Sequence, residues 1–149
     1  MERVFISHSV DETMVLGQKI ARYAKSGPVF CLTGDLGAGK TTLVRGIAQG
    51  LNIKGVVQSP TFNIMKIYFN GDRPLIHIDA YRLADINTDI GLDEYIGYET
   101  GITVIEWPNF IEELIPGNAI TVEINNLEDN NRKLTFKNID PEVLEGLEK

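Results

Sequence analysis

Apolar positions recur along this chain in two periods, and the switches between them mark the elements. Arg3 to Ser7 sets Val4, Phe5 and Ile6 between two polar residues and reads as an edge strand. Leu16, Ile20 and Tyr23 or Ala24 then return every three to four residues, one face of a helix. Ser9-Val10-Asp11-Glu12 fits the S-x-x-E capping box that opens such a helix. Gly27 suits a left-handed cap at its end, and Pro28 stops propagation. Val29 to Leu32 is a short, wholly apolar run, the pattern of a buried strand. Helical spacing resumes at Leu43, Val44, Ile47, Ala48 and Leu51, which predicts a helix from Lys40 to about Gln49, ended by Gly50 and Asn52.

Beyond that helix the strand period dominates. Phe62 to Phe69 and Leu75 to Ile78 flank Asn70-Gly71, a hairpin signal. Asn87 to Ile96 fits a short acidic helix, and Ile102 to Ile105 a strand. Phe110 to Ile115 fits a short helix closed by Pro116-Gly117. Ala119 to Ile124 and Lys133 to Phe136 read as strands joined through the turn formers Glu128-Asp129-Asn130-Asn131. Asp140-Pro141-Glu142 opens a last helix. The order predicts a single α/β domain over 1–149, a P-loop NTPase-like mixed β-sheet flanked by helices in three layers.

Composition narrows this only slightly. The 149 residues are 43% hydrophobic and 23% charged, ordinary for one globular domain. No apolar run reaches membrane length, and the N-terminus lacks a basic region followed by an apolar stretch, so a cytoplasmic protein is expected. The single cysteine, Cys31, sits in a core strand and reads as a buried structural thiol. Charge changes the picture more. The net charge is −7 and no Lys/Arg cluster is present, which disfavours unaided binding of nucleic acid. Between Asp85 and Glu106 there are six acidic residues and no basic one. That segment is either a solvated surface or a docking face for a basic partner.

The chemistry concentrates after Val29. Gly34, four residues, then Gly39-Lys40-Thr41 match the phosphate-loop pattern G-x-x-x-x-G-K-[ST]. Backbone N–H groups of Asp35, Leu36, Gly37, Ala38 and Gly39, with Lys40, Thr41 and Thr42 opening the helix, are expected to cradle a polyphosphate. Lys40 supplies charge to the outer phosphates and the Thr41 hydroxyl suits Mg²⁺. The N-K-x-D segment that reads guanine in GTPases is missing, so ATP is the expected nucleotide. Two strands end in carboxylates, Asp79 and Glu106, which fit one metal site if their strands flank the phosphate-loop strand.

Other positions keep two readings. Ser9 and Val10 either contact the base or simply cap the helix. Thr61, in Ser59-Pro60-Thr61-Phe62, either senses the γ-phosphate or metal or serves the turn. Arg82 pairs with Asp85 or points at nucleotide or partner. His77 reads as packed or hydrogen-bonded. Trp107 is a lid or core, and Arg132 is a sheet-edge charge or stacks on adenine.

Four motifs, GDLGAGKTT (34–42), SPTF (59–62), HIDAYRL (77–83) and IEWP (105–108), resemble in order and interval the TsaE family, formerly YjeE. The resemblance implies a small ATPase needed for threonylcarbamoyladenosine (position 37) modification of tRNA. It implies that Lys40 and Thr41 bind phosphate and Mg²⁺, that Thr61 lies in a switch-like segment, and that Asp79 and Glu106 serve metal and water. It also raises Trp107 to a functional residue. The family acts through a TsaB–TsaD pair, so tRNA would be met only indirectly, and ATP turnover is thought to reset that machine. Without an evident arginine finger, turnover by the chain alone should be slow. Two rivals remain: a small-molecule kinase, weakened because only Arg132 lies beyond Arg82, and an adaptor that uses ATP only to set its docking shape.

Overall fold

The computed structural model describes residues 2–24, 27–35, 39–55, 64–81 and 92–149. In chain order they form β1 (Glu2–Ser7), α1 (Val10–Tyr23), β2 (Val29–Gly34), α2 (Lys40–Gly50), β3 (Met65–Tyr68), β4 (Leu75–Asp79), β5 (Ile102–Glu106), β6 (Ile120–Asn126), β7 (Arg132–Lys137) and α3 (Pro141–Leu147). All seven strands join one mixed sheet in the order β1-β7-β6-β2-β5-β4-β3. β2 is central and parallel to both neighbours, and β4 continues the parallel set beyond β5. The edges turn antiparallel, with β3 on β4 at one side and β7 and β1 beyond β6 at the other.

This order corrects one expectation. The two acid-ended strands do not flank β2, because β6 takes its second side. Asp79 and Glu106 are instead register partners on neighbouring strands, and Glu106 is also level with Leu32 of β2. Both carboxylates therefore lie on the same side of the phosphate-loop strand.

The strand alternation decides which face each side chain meets. Phe30, Leu32, Val104, Val122 and Phe136 pack under all three α-helices. Val29, Cys31, Ile76, Ile78 and Ile105 point the other way, where short 3₁₀ segments at Leu92–Glu94 and Pro108–Leu114 cover them. The three layers are thus unequal among the described residues. Each fully buried side chain of the size of Phe30 or Leu32 contributes roughly 1.5–3 kcal/mol. No helix among the described residues is long and apolar enough to cross a membrane.

Two glycines let α1 and α2 approach each other at backbone distance. A Cβ on Gly46 would fall on the Met14 carbonyl, and one on Gly17 would lie 2.5 Å from the Leu43 carbonyl oxygen. Helix starts follow the sequence closely. The Ser9 hydroxyl accepts from the Glu12 N–H at 3.1 Å, and the Glu12 carboxylate accepts in turn from His8 N–H at 2.8 Å. Asp140 accepts from Val143 N–H at 2.9 Å. The end of α1 differs: the helix stops at Tyr23, with Ala24 extended, short of Gly27. Gly27 has φ +69°, but a Cβ there would meet the Gly97 carbonyl oxygen at 2.7 Å, so it accommodates a neighbouring loop.

Both hairpins expected from the sequence form, but their connections differ in kind. Asn70-Gly71 does not form a tight turn, since Tyr68 pairs with Leu75 and residues 69–74 intervene. Gly71 is required for a different reason: a Cβ there would lie 2.5 Å from both Leu51 O and Ile53 Cγ1 at the end of α2. The tight turn is Asp129-Asn130, both left-handed (φ 57° and 63°), with Asn131 N–H donating to Glu128 O at 3.1 Å. That is type I′ geometry, which matches the twist of β6 and β7. Within the predicted acidic helix 87–96, only residues 92 onward are described, and Leu92–Glu94 is a 3₁₀ turn.

Candidate functional site

The phosphate loop is fastened at its base to β6. Gly34 has φ +121°, and a Cβ there would fall on the Ile124 carbonyl. Asp35 then donates its N–H to Ile124 O at 3.0 Å and accepts the Asn126 N–H at 2.9 Å. Asp35 is therefore an anchor whose own N–H is engaged by β6. Leu36, Gly37 and Ala38 lie outside the described residues, as do Thr61 and Arg82.

At the far end of the loop, Gly39 (φ +97°) is the residue before α2 and carries no side chain to cap it. No acidic residue stands in the first turn of α2. The N–H groups and positive dipole end of an eleven-residue helix are thus presented at the loop, together with Lys40, Thr41 and Thr42. The Lys40 ammonium sits 5.0 Å from the centroid of the Trp107 ring. Trp107 packs at the margin of the core formed by Val29, Cys31, Ile76, Ile78 and Ile105. It is half-buried, left-handed (φ 59°), and stacked 5.1 Å from Tyr81 and 6.5 Å from Phe110. A left-handed tryptophan costs on the order of 1–3 kcal/mol, and this aromatic packing holds it there. The Tyr81–Phe110 support was not foreseen; its only trace in the sequence was that both residues neighbour the acid-ended strands.

Glu106 ends β5 with its residue 6% exposed, directly beside the strand that feeds the loop. One of its oxygens lies 2.7 Å from Nε2 of His77, which is fully buried on β4. The hydrogen-bonded reading of His77 thus holds. Asp79, half-buried at the end of β4, accepts the Tyr81 N–H at 3.1 Å. Two carboxylates and a threonine hydroxyl are hard oxygen donors of the kind Mg²⁺ takes while keeping several waters. Among the described residues no cluster of three or more His, Cys, Asp or Glu could hold a metal ion, so a Mg²⁺ here would draw most of its ligands from water and phosphate.

A separate cavity of about 270 Å³ opens beside the loop, lined by Ser9, Val10, Thr13, Gly39, Thr42, Asn130 and Arg132. Three distant segments meet here: the start of α1, the start of α2 and the β6–β7 turn. Ser9 caps α1, and it also lines this cavity. Val10 is 64% exposed at the rim. Arg132 is not a sheet-edge charge, because β7 is covered on both sides by β1 and β6. A Cβ on Gly39 would lie 4.0 Å from Arg132 Nε, so the guanidinium stands next to the loop. Thr13 and Asn130 were missed; neither carries a local signal, since only the tertiary fold brings them to the cavity.

Comparisons with known proteins agree with one another. The model of the threonylcarbamoyl adenosine biosynthesis protein TsaE family matches residues 7–134. The Bacillus subtilis tRNA threonylcarbamoyladenosine biosynthesis protein TsaE is 44% identical over 126 residues, covering 85% of this chain and 79% of that protein. The Treponema pallidum protein of the same description is 39% identical over 132 residues, covering 87% and 96%. The crystal structure of Bacillus subtilis YdiB superposes with a TM-score of 0.82 at 34% identity, covering 99% of this chain and 95% of that one. The mixed sheet with its helices is therefore a P-loop-like fold, and by family match, identity and architecture together the chain belongs to the TsaE family of tRNA threonylcarbamoyladenosine biosynthesis proteins.

Proposed function

We propose that this chain is a Mg²⁺-dependent ATPase that serves threonylcarbamoyladenosine modification of tRNA through a TsaB–TsaD-like protein pair. The observation that supports it best is that Glu106 lies on the strand beside β2, level with Leu32, while β2 leads through the loop into a helix without a side-chain cap that begins Lys40-Thr41. The α2 N-terminus and Lys40 suit the β- and γ-phosphates. The cavity between Val10, Thr42 and Arg132 suits a base, with the Arg132 guanidinium available to a purine face. Thr41 with Glu106 or Asp79 would hold Mg²⁺, which when bound offsets charge on the phosphate oxygens. The remaining carboxylate would orient a water whose oxygen bonds to the γ-phosphorus as the phosphoanhydride bond to ADP breaks, giving ADP, inorganic phosphate and a proton released to solvent.

The net charge of −7 supports a role through proteins over direct grip on tRNA. Measuring ATP hydrolysis with and without the TsaB–TsaD pair tests this. Slow turnover alone and acceleration by the pair are expected; full turnover alone with no effect of the pair would remove the accessory role. Retained tRNA modification by a variant that binds but does not hydrolyse ATP would favour the adaptor.

A further inference from the structure

His77 occupies the middle of a buried strand, between Ile76 and Ile78, where an aliphatic side chain would pack without cost. An imidazole there must be offset by a hydrogen bond. Its Nε2 lies 2.7 Å from Glu106 Oε2, a short bond of the charge-assisted kind. Its Nδ1 is buried and has no partner among the described residues. A buried N–H is rarely left without an acceptor, whereas an empty acceptor is tolerated more readily. The proton therefore belongs on Nε2, and His77 donates to Glu106.

The bond crosses diagonally between strands. His77 is level with Val104, and Asp79 is level with Glu106. His77 and Asp79, two apart on one strand, share a face. The ring thus reaches forward to the carboxylate from inside the sheet and fixes its rotation. Glu106 has a further interaction besides this one, and the bond from His77 narrows the carboxylate to fewer of the orientations open to it, only some of which suit the phosphate and its water.

We propose that His77 is a positioning residue: it holds Glu106 in one orientation toward the phosphate loop and does not itself touch nucleotide. This rests on the ATPase reading above. The prediction is that His77→Leu lowers kcat for ATP by about 10–100-fold while Kd for a non-hydrolysable ATP analogue, measured by calorimetry, stays unchanged. His77→Gln, whose amide N–H can stand where Nε2–H does, should recover most of kcat. If His77→Leu does not fold, His77→Asn replaces it as the reference: it buries a similar amide that falls short of Glu106, and it should be as slow as the leucine variant is expected to be. Wild-type kcat in the leucine variant, or equal kcat in the Gln and Asn variants, overturns the proposal. A parallel loss of kcat and analogue affinity that Gln does not rescue overturns it as well.

A second readout needs no turnover. In the ¹⁵N-labelled full chain without nucleotide, His77 should carry its proton on Nε2, with Nδ1 unprotonated; a neutral ring protonated at Nδ1 instead would exclude the brace. If the ring reads as expected but the wild-type chain hydrolyses no ATP with or without the TsaB–TsaD pair, the ATPase reading fails and the positioning role fails with it, while the bond itself stands.

Discussion

The Lys40 ammonium lies over the Trp107 ring, 5.0 Å from its centroid. The same lysine is the charge proposed for the outer phosphates, so binding of a polyphosphate must compete with this cation–π contact. Trp107 is the sole tryptophan, which makes its emission a direct probe. ATP should shift that emission in the native chain. In Lys40→Ala the shift at the same ATP concentration should vanish, because nucleotide binding is lost. An undiminished shift in that variant would remove Lys40 from the phosphate site.

Lys40 and Glu106 should fail in different ways. Glu106 stands on the β5 side of the loop, and in the proposed ATPase it would contribute to chemistry more than to affinity. Glu106→Ala is expected to lower kcat by at least about 100-fold while ATP still binds by calorimetry. Unchanged turnover would end its catalytic assignment.

The cavity beside Gly39 makes a prediction about affinity. Stacking of a guanidinium on a base face is worth on the order of 1–2 kcal/mol, so Arg132→Ala should raise KM for ATP by roughly tenfold and leave kcat near its native value. A loss confined to kcat would instead place Arg132 at the γ-phosphate.

The α1–α2 contact sets the distance between the start of α1 and the start of α2, and with it the width of that cavity. Gly46→Val would drive two methyl groups into the Met14 backbone, which cannot move without α1. Overpacking of this kind costs about 3 kcal/mol, to be read from urea denaturation. A neutral outcome would mean that the helices separate readily.

Burial pushes the Cys31 thiol from 9.0 up to about 11. In the unfolded chain the thiol ionises first, so between pH 9.0 and about 11 the folded state retains a proton the unfolded state has lost. Stability therefore falls as pH rises through that window, by about 2–3 kcal/mol at its upper end. Cys31→Ala should remove this component from the pH dependence. The native thiol should also react slowly with iodoacetamide at neutral pH.

What the sequence determined by itself was local. The phosphate-loop motif, the Ser9 and Asp140 caps and the strands ending in Asp79 and Glu106 depend on residues a few positions apart, so spacing alone shows the motif, the caps and the strands. Turn chemistry was less legible. Asn70-Gly71 carries the stronger hairpin signal, yet Gly71 is small because α2 ends against it, and the type I′ turn formed at Asp129-Asn130 instead. The tertiary structure alone decided strand order. Whether β4 or β6 lies beside β2 depends on which apolar faces best cover each other, and no short-range pattern encodes that choice. From that order follow the pairing of Asp79 with Glu106, the diagonal bond from His77, and the cavity where Val10, Thr42 and Arg132 meet across more than a hundred residues of chain.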